Sequence, residues 1–368
     1  MNGASAIVRD GGRWLEALDP VAAVRADGPD AFAALDTIAS GGFWAGFCAY
    51  DLGRSIEPVP DRAADDLGLP DLAFVRFANV REIAAPSGPP VGLGEARSSL
   101  DRARHAAAVE IVHELLRAGE CYQVNLTRRL EFATSPDPRA LFAALTARNP
   151  APHAALCVLG DTVPGVAIVS ASPELYLGID GDTVTTRPIK GTAADAGTLA
   201  GSAKDRAEHV MIVDLARNDL GRICRPGTIR VPDLSAIEAH PGLHHMVSTV
   251  TGERRSGVGL GEVVRATFPP ASVTGAPKPR VLRAIEELEP VRRGAYCGAV
   301  GWIDGDAGRA RLSVAIRTFT VTPNGTTLGV GGGIVADSDA DAEWAETELK
   351  AARLLAAVGG REREPVPA

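Results

Sequence analysis

Paired cysteines, phosphate-cradling glycine motifs, an excess of basic residues and long apolar runs are all missing from this chain. Its five cysteines, Cys48, Cys121, Cys157, Cys224 and Cys297, are dispersed and form no CxxC pair. That excludes a disulfide framework and a zinc knuckle, and it fits the reduced thiols of a cytoplasmic protein. A net charge of −8 argues against nucleic acid or an anionic membrane as partner. No apolar run reaches membrane-spanning length, and residues 1–12 lack the basic-then-apolar pattern of a secretory signal. No GxGxxG or GxxxxGK[ST] stands at a strand–helix junction, so dinucleotide and P-loop binding lose support. Cys48 lies in Gly46-Phe47-Cys48-Ala49-Tyr50. A nucleophile elbow would want glycine where Tyr50 stands, so a small buried strand residue is the plainer reading.

The chain has 368 residues, 45% of them hydrophobic, enough for one large core or two merged lobes. Residues 1–95 read as a smaller N-terminal lobe merged into the same fold, with a strand around 41–47 and a linker at 85–90. Residues 96–360 read as the catalytic region, and residues 361–368 as a disordered tail. Ala108, Ile111, Val112 and Leu115 recur at helical spacing, and Gly119 ends that helix. Tyr122 to Phe132 alternates as a strand, with Gln123, Asn125, Thr127 and Arg129 on its polar face. Such a face is ordinarily solvated; a cleft lining is the alternative. Strands are predicted at 167–171, 175–179, 183–187, 295–303, 312–321 and 327–330. Helices are predicted at 203–219, 278–288 and 339–357. Strands in runs with helices between the runs favour an α+β fold over a doubly wound parallel sheet.

On the helix at 203–219, Asp205 and Glu208 share a face with Ile212 and Leu215, which should point inward. Buried carboxylates need a cation or donors. The last helix repeats the arrangement with Glu343, Glu346 and Lys350. Two helices presenting acid pairs could flank a hard divalent cation, and Mg²⁺ suits oxygen ligands best. A solvated face is the plainer reading of either pair taken alone. Gly331-Gly332-Gly333 could bring backbone N–H groups to an anion, or form an ordinary glycine turn. Arg317, in an apolar strand, could hold a carboxylate or face solvent. Lys190, between a strand end and a Gly-Thr turn, could be a desolvated, nucleophilic amine. Glu174 in Ser172-Pro173-Glu174 could be a general acid or base. Ser272 to Pro277 has the pattern of a helix cap followed by proline.

The order of these features resembles one family. Segments 121–126, 172–174, 188–192, 204–208, 214–219, 245–248, 274–278, 315–318 and 332–338 look like the successive motifs of the chorismate-utilising enzymes, which include the first components of anthranilate and aminodeoxychorismate synthases, isochorismate synthase and salicylate synthase. The match spans about residues 100–357. The resemblance implies two packed antiparallel sheets with helices on their outer faces. It implies that Glu208 and Glu346 hold Mg²⁺ with help from Asp205 and Glu343, and that the metal binds the ring carboxylate of chorismate. Arg317 with the Gly332 and Gly333 amides would take the enolpyruvyl carboxylate. Glu174 would protonate the departing C4 hydroxyl. His245, Thr274, Thr192, Lys350, Gln123 and Trp302 would line the pocket. Water-adding members carry a lysine base where this chain has Gln123. Anthranilate-forming members carry a small residue where this chain has Lys190, and a lysine there marks the aminodeoxychorismate type. That type implies ammonia as the second substrate, supplied by a separate glutamine amidotransferase subunit, since no Cys-His glutaminase pattern is visible here. An anthranilate-forming enzyme and a non-catalytic chorismate-binding subunit are the alternatives.

Overall fold

In the computed structural model, residues 3–193, 195–240 and 243–363 are described, apart from the side chains of Thr192, Lys204, His240 and Leu243. The N-terminal part runs β1 (Ser5–Asp10), β2 (Arg13–Ala26), α1 (Asp30–Ala39), β3 (Phe43–Cys48), β4 (Leu72–Ile83), β5 (Gly94–Ser98), α2 (Arg102–Arg117), β6 (Gln123–Phe132) and α3 (Pro138–Arg148). The middle runs β7 (His153–Val158), β8 (Ala167–Ser172), β9 (Leu175–Asp180), β10 (Thr183–Arg187), β11 (Ile189–Ala193), α4 (Ala196–Gly201), α5 (Ala203–Gly221), β12 (Arg230–His240) and β13 (Leu243–Glu253). The rest is α6 (Leu260–Thr267), β14 (Gly275–Ala276), α7 (Lys278–Leu288), β15 (Ala299–Asp304), β16 (Arg309–Val314), β17 (Thr318–Thr322), β18 (Gly325–Ile334), α8 (Ala340–Val358) and β19 (Gly360–Glu362).

The strands form one curled sheet with two limbs. One limb runs β1–β7–β8–β17–β18–β6–β5. The other runs β4–β3–β15–β16–β9–β10–β13. The long strand β2 joins them, pairing with both β1 and β4. Ladders are antiparallel except for β19 on β5, so the sheet is mixed. The two sheets expected from the sequence are therefore continuous through β2. One buried cluster draws side chains from both limbs, among them Val8, Phe47, Val75, Ile168, Val300 and Trp302. A second packs β6, β8, β17 and β18 against α3 and α8, and the third carries α1, α2, α5, α6 and α7. Residues 1–95 contribute β1 to β4 to this shared sheet rather than forming a core of their own.

Three local readings change. The polar face of β6 is buried, not solvated: Gln123, Asn125, Thr127 and Arg129 are all covered. The strand expected over 312–321 breaks at 315–317, where Arg317 takes φ +52°. The break sends β16 to one limb and β17 to the other. Residues 361 and 362 of the expected tail belong to β19, which pairs with β5; residues 364–368 lie outside the described residues.

That last strand anchors α8. Arg128, a wholly buried cation, pairs with both carboxylate oxygens of Glu362, donates to Thr347 Oγ1 at 2.9 Å and lies 4.2 Å from the Trp344 ring centroid. Breaking a buried pair leaves an uncompensated charge, which costs about 3–5 kcal/mol. Glu362→Ala is expected at about 3 kcal/mol, the low end, because Thr347 and Ser98 still serve the guanidinium. Urea unfolding checks this; a loss under ~1 kcal/mol would show a water-compensated pair.

Candidate active site

Two neighbouring glycines in β18 organise the site. β18 pairs with β6 so that Gly333 faces Asn125 and Gly332 faces Leu126 across the ladder. A β-carbon on Gly333 would lie 2.2 Å from Gln123 Nε2 and 3.4 Å from Lys190 Nζ. A β-carbon on Gly332 would lie 3.1 Å from Glu343 Oε2, 3.8 Å from Glu346 Oε1 and 3.9 Å from Lys350 Nζ. Glycine is required here for close approach, not for a turn: the Gly331–Gly333 run is strand. Gln123 is fully buried, yet neither end of its amide has a hydrogen-bond partner. An unpaired buried amide costs about 1–3 kcal/mol, and such groups are expected where a ligand completes them.

Lys190 sits on β11, paired with Met246 of β13 just before a bulge. The bulge residue, Gly191, has φ +72°, and a β-carbon there would crowd Asp205 at 3.2 Å. The Lys190 ammonium feels Glu208 of α5, Glu346 and Lys350 of α8, and Glu174. Burial pushes its pKa down and Lys350 adds to this, against the pull of the three glutamates. Glu174, buried in the turn between β8 and β9, moves the other way. Burial pushes its carboxyl from 4.5 up to about 7, although the Ser272 hydroxyl, Lys190 and the Ile189 N–H favour the charged form. A carboxyl with a raised pKa and an amine with a lowered one are thus set in each other's field.

A raised acid pKa costs stability once the group must ionise. The Glu174 contribution is intact below pH 4.5 and is lost as pH rises through about 7. A shift from 4.5 to about 7 corresponds to ~3 kcal/mol above neutrality. Glu174→Gln is therefore expected to be more stable than wild type at pH 8, with the advantage gone at pH 4.5. Thermal unfolding at the two pH values checks this; an equal difference at both would remove Glu174 as the source.

Arg317, in the break between β16 and β17, has an Nη within 3.3 Å of His245 Nε2. Burial, with Arg353 nearby, lowers its pKa to about 10, so it stays cationic and poorly solvated, as a carboxylate receptor should be. The positive φ of this non-glycine residue is the kind of local strain that clusters at functional sites. Thr274 is fully buried and its hydroxyl donates to Pro270 O at 3.0 Å, so it braces the turn at 270–274 and leaves only lone pairs to offer. The Thr192 side chain lies outside the described residues.

Trp302 corrects the sequence reading. It projects from β15 into the core between the limbs, stacks on Phe43 at 5.7 Å and donates its indole N–H to Arg9 O. Strand alternation puts it on the same face as Val300, so it supports the fold instead of lining the cleft. Two residues were missed. Ser272 lies against Glu174. Ser338 donates to Glu343 Oε1 at 2.6 Å. Both stand inside motifs noticed in the sequence, but a serine in a turn carries no signal of its own.

The carboxylates suit Mg²⁺ by chemistry, being hard oxygen donors. Glu343 and Glu346 border one glycine, Asp205 borders another, and Glu208 and Glu346 flank one amine. Among the described residues no three metal-ligating side chains converge on one point. Glu346 turns to Lys350 Nζ at 2.6 Å, and that ammonium also donates to Gly331 O at 2.8 Å.

A family model described as chorismate binding enzyme matches residues 81–356. The first component of aminodeoxychorismate synthase from Salmonella typhimurium is 39% identical over 84% of this chain and 75% of its own length. The first component of anthranilate synthase from Mycolicibacterium smegmatis is 36% identical over 92% of this chain and 76% of its own. Among solved structures, anthranilate synthase component I from Streptococcus pneumoniae superposes with a TM-score of 0.83 at 25% identity, covering 96% of this chain and 92% of that one. No helix among the described residues is long and apolar enough to cross a membrane.

Proposed function

This chain belongs to the chorismate-binding enzyme family, and from that premise we propose that it aminates chorismate at C4, giving 4-amino-4-deoxychorismate for 4-aminobenzoate synthesis. The observation that carries the reading is Lys190: an amine with a lowered pKa, close to Glu174 with its raised pKa and pressed against Gly333. In this scheme neutral Lys190 adds at C2 while Glu174 gives its proton to the C4 hydroxyl, which leaves as water. Ammonia then adds at C4 and expels the lysine, and the two allylic shifts return the ring double bonds to their places. A single addition of ammonia at C2 would lead toward anthranilate.

Arg317 and the Gly332–Gly333 backbone would hold the enolpyruvyl carboxylate, with Gln123 completing its amide bonds on substrate or ammonia. Glu208 and Glu346, assisted by Asp205 and Glu343, would hold Mg²⁺, which when bound neutralises the ring carboxylate and strengthens ionic contacts in a dry site. The relatives named as first components support a separate second component here, which we assign as a glutamine amidotransferase delivering ammonia.

Purified protein with chorismate, Mg²⁺ and ammonium, followed by mass spectrometry of the product, tests the reading. The 4-amino product is expected with ammonium, and none with glutamine alone. Anthranilate as the sole product would assign the chain to the other branch of the family. Binding of chorismate without turnover would make it the non-catalytic subunit.

A further inference from the structure

A cavity of about 30 Å³ lies behind Glu174, between β9, β10, α5 and the turn at 270–272; most of its wall is apolar, Ile212, Ala216 and Leu220 among it, with a few polar groups gathered near the carboxyl. One water requires roughly 10–15 Å³. Glu174 forms part of its wall and Lys190 does not. The polar groups around it are Ser272, Tyr176, Thr186, Thr267 and Asp219. Several of these are already committed. Thr267 Oγ1 donates to Val263 O at 2.9 Å, so its single proton is used. The 2.6 Å contact with Tyr176 must then run from the phenol O–H to Thr267, which leaves the Tyr176 oxygen as an acceptor. Asp219 is held by Lys278 at 2.7 Å. Ser272 is the exception. Its buried hydroxyl is near enough to favour the Glu174 carboxylate, but it closes no hydrogen bond of full geometry with any group. An unsatisfied hydroxyl beside a carboxyl, on a cavity large enough for water, is a place for a bridging water.

We propose that this cavity holds the water that returns a proton to Glu174 after each turnover, with Ser272 as the residue that positions it. The inference rests on Glu174 being the acid, as proposed above. The proton count requires such a supply. Glu174 loses one proton to the departing C4 hydroxyl, and that proton leaves in water. Ammonia brings three protons and the product amine keeps them as it takes up charge, so none is returned to the carboxylate. One proton per turnover must come from solvent. A route through the cavity reaches Glu174 from a side that Lys190 does not line, so proton return need not pass the reacting amine.

Ser272→Ala should lower kcat about 10-fold, below the ~10²–10⁴-fold expected for loss of the acid itself, with little change in KM for chorismate. The solvent deuterium isotope effect on kcat should rise, because proton return becomes limiting. The high-pH limb of the rate profile should also move upward. Glu174 must be protonated to act, and the hydroxyl that favours its charged form is gone. The other groups facing this carboxyl, Lys190 and the Ile189 N–H from β11 and Asp219 across the cavity on α5, are unchanged. Ser272→Thr, which keeps the hydroxyl, should restore most of the rate. Ala216→Leu, which fills the cavity from α5, should slow turnover in the same way without touching Glu174. Wild-type kcat and isotope effect in both Ser272→Ala and Ala216→Leu would overturn the relay. Glu174→Gln is run alongside: if it turns over normally, the acid assignment itself fails. If it is inactive while the cavity variants are unaffected, only the relay fails.

Discussion

Lys190→Ala is expected to lose 4-amino-4-deoxychorismate formation by on the order of 10³-fold or more, the scale seen when a covalent nucleophile is removed. The lysine is placed to react, not to bind in general. Its Nζ stands 3.4 Å from where a Gly333 β-carbon would be, with the unpaired Gln123 amide on the same side. Burial and Lys350 favour the neutral amine, and only the neutral amine carries the lone pair that attacks. With alanine there, ammonia can reach C2 directly, so a 2-amino product is expected to appear at a low rate. Liquid chromatography with mass detection separates the two products. Wild-type output of the 4-amino product from the alanine variant would return Lys190 to the role of a pocket-lining charge.

Glu208→Gln and Glu346→Gln are each expected to cut turnover by ~10²–10³-fold, comparable to losing one electrostatic contact in a preorganised site, while the fold persists. The two carboxylates come from different helices and both act on Lys190. If they served only to tune that amine, removing either would leave it more often neutral, and activity at low pH would rise. If they hold Mg²⁺, activity falls at every pH. Calorimetric Mg²⁺ binding to the protein alone is expected to weaken in both variants, and EDTA treatment is expected to stop the wild-type enzyme. Full activity after EDTA, or unchanged Mg²⁺ binding in the variants, would remove the metal from the account.

Much of this was legible because periodic helices carry their own record. The spacing of Asp205, Glu208, Ile212 and Leu215 placed one acid pair on an inward face, and α5, α7 and α8 end within a residue or two of their expected bounds. What could not be read depends on long-range pairing. A polar strand face looks the same whether water or another segment covers it, and β6 meets Glu289, Arg292, Arg293 and Asp66, all far from it in the chain. The apolar run around Arg317 reads as one strand because nothing local announces φ +52° at a non-glycine residue. Three consecutive glycines suggest a turn until the neighbours that forbid a β-carbon, Gln123 and Glu343 among them, are brought in from elsewhere in the chain. Trp302 failed for a similar reason: which face of β15 looks into the core is set by the limb packed against it, which brings Val8 and Ile168 into the same cluster.

The most direct test is mass spectrometry of wild-type protein incubated with chorismate and Mg²⁺ but no nitrogen donor, followed by proteolysis. Lys190 is expected to carry an added mass equal to chorismate less one water, because the amine adds at C2 as the C4 hydroxyl departs and no ammonia is present to release it. The Glu174→Gln variant, unable to protonate the leaving group, is expected to show little of this adduct. An unmodified Lys190 peptide from an enzyme that makes the 4-amino product once ammonium is added would contradict the covalent role on which the account rests.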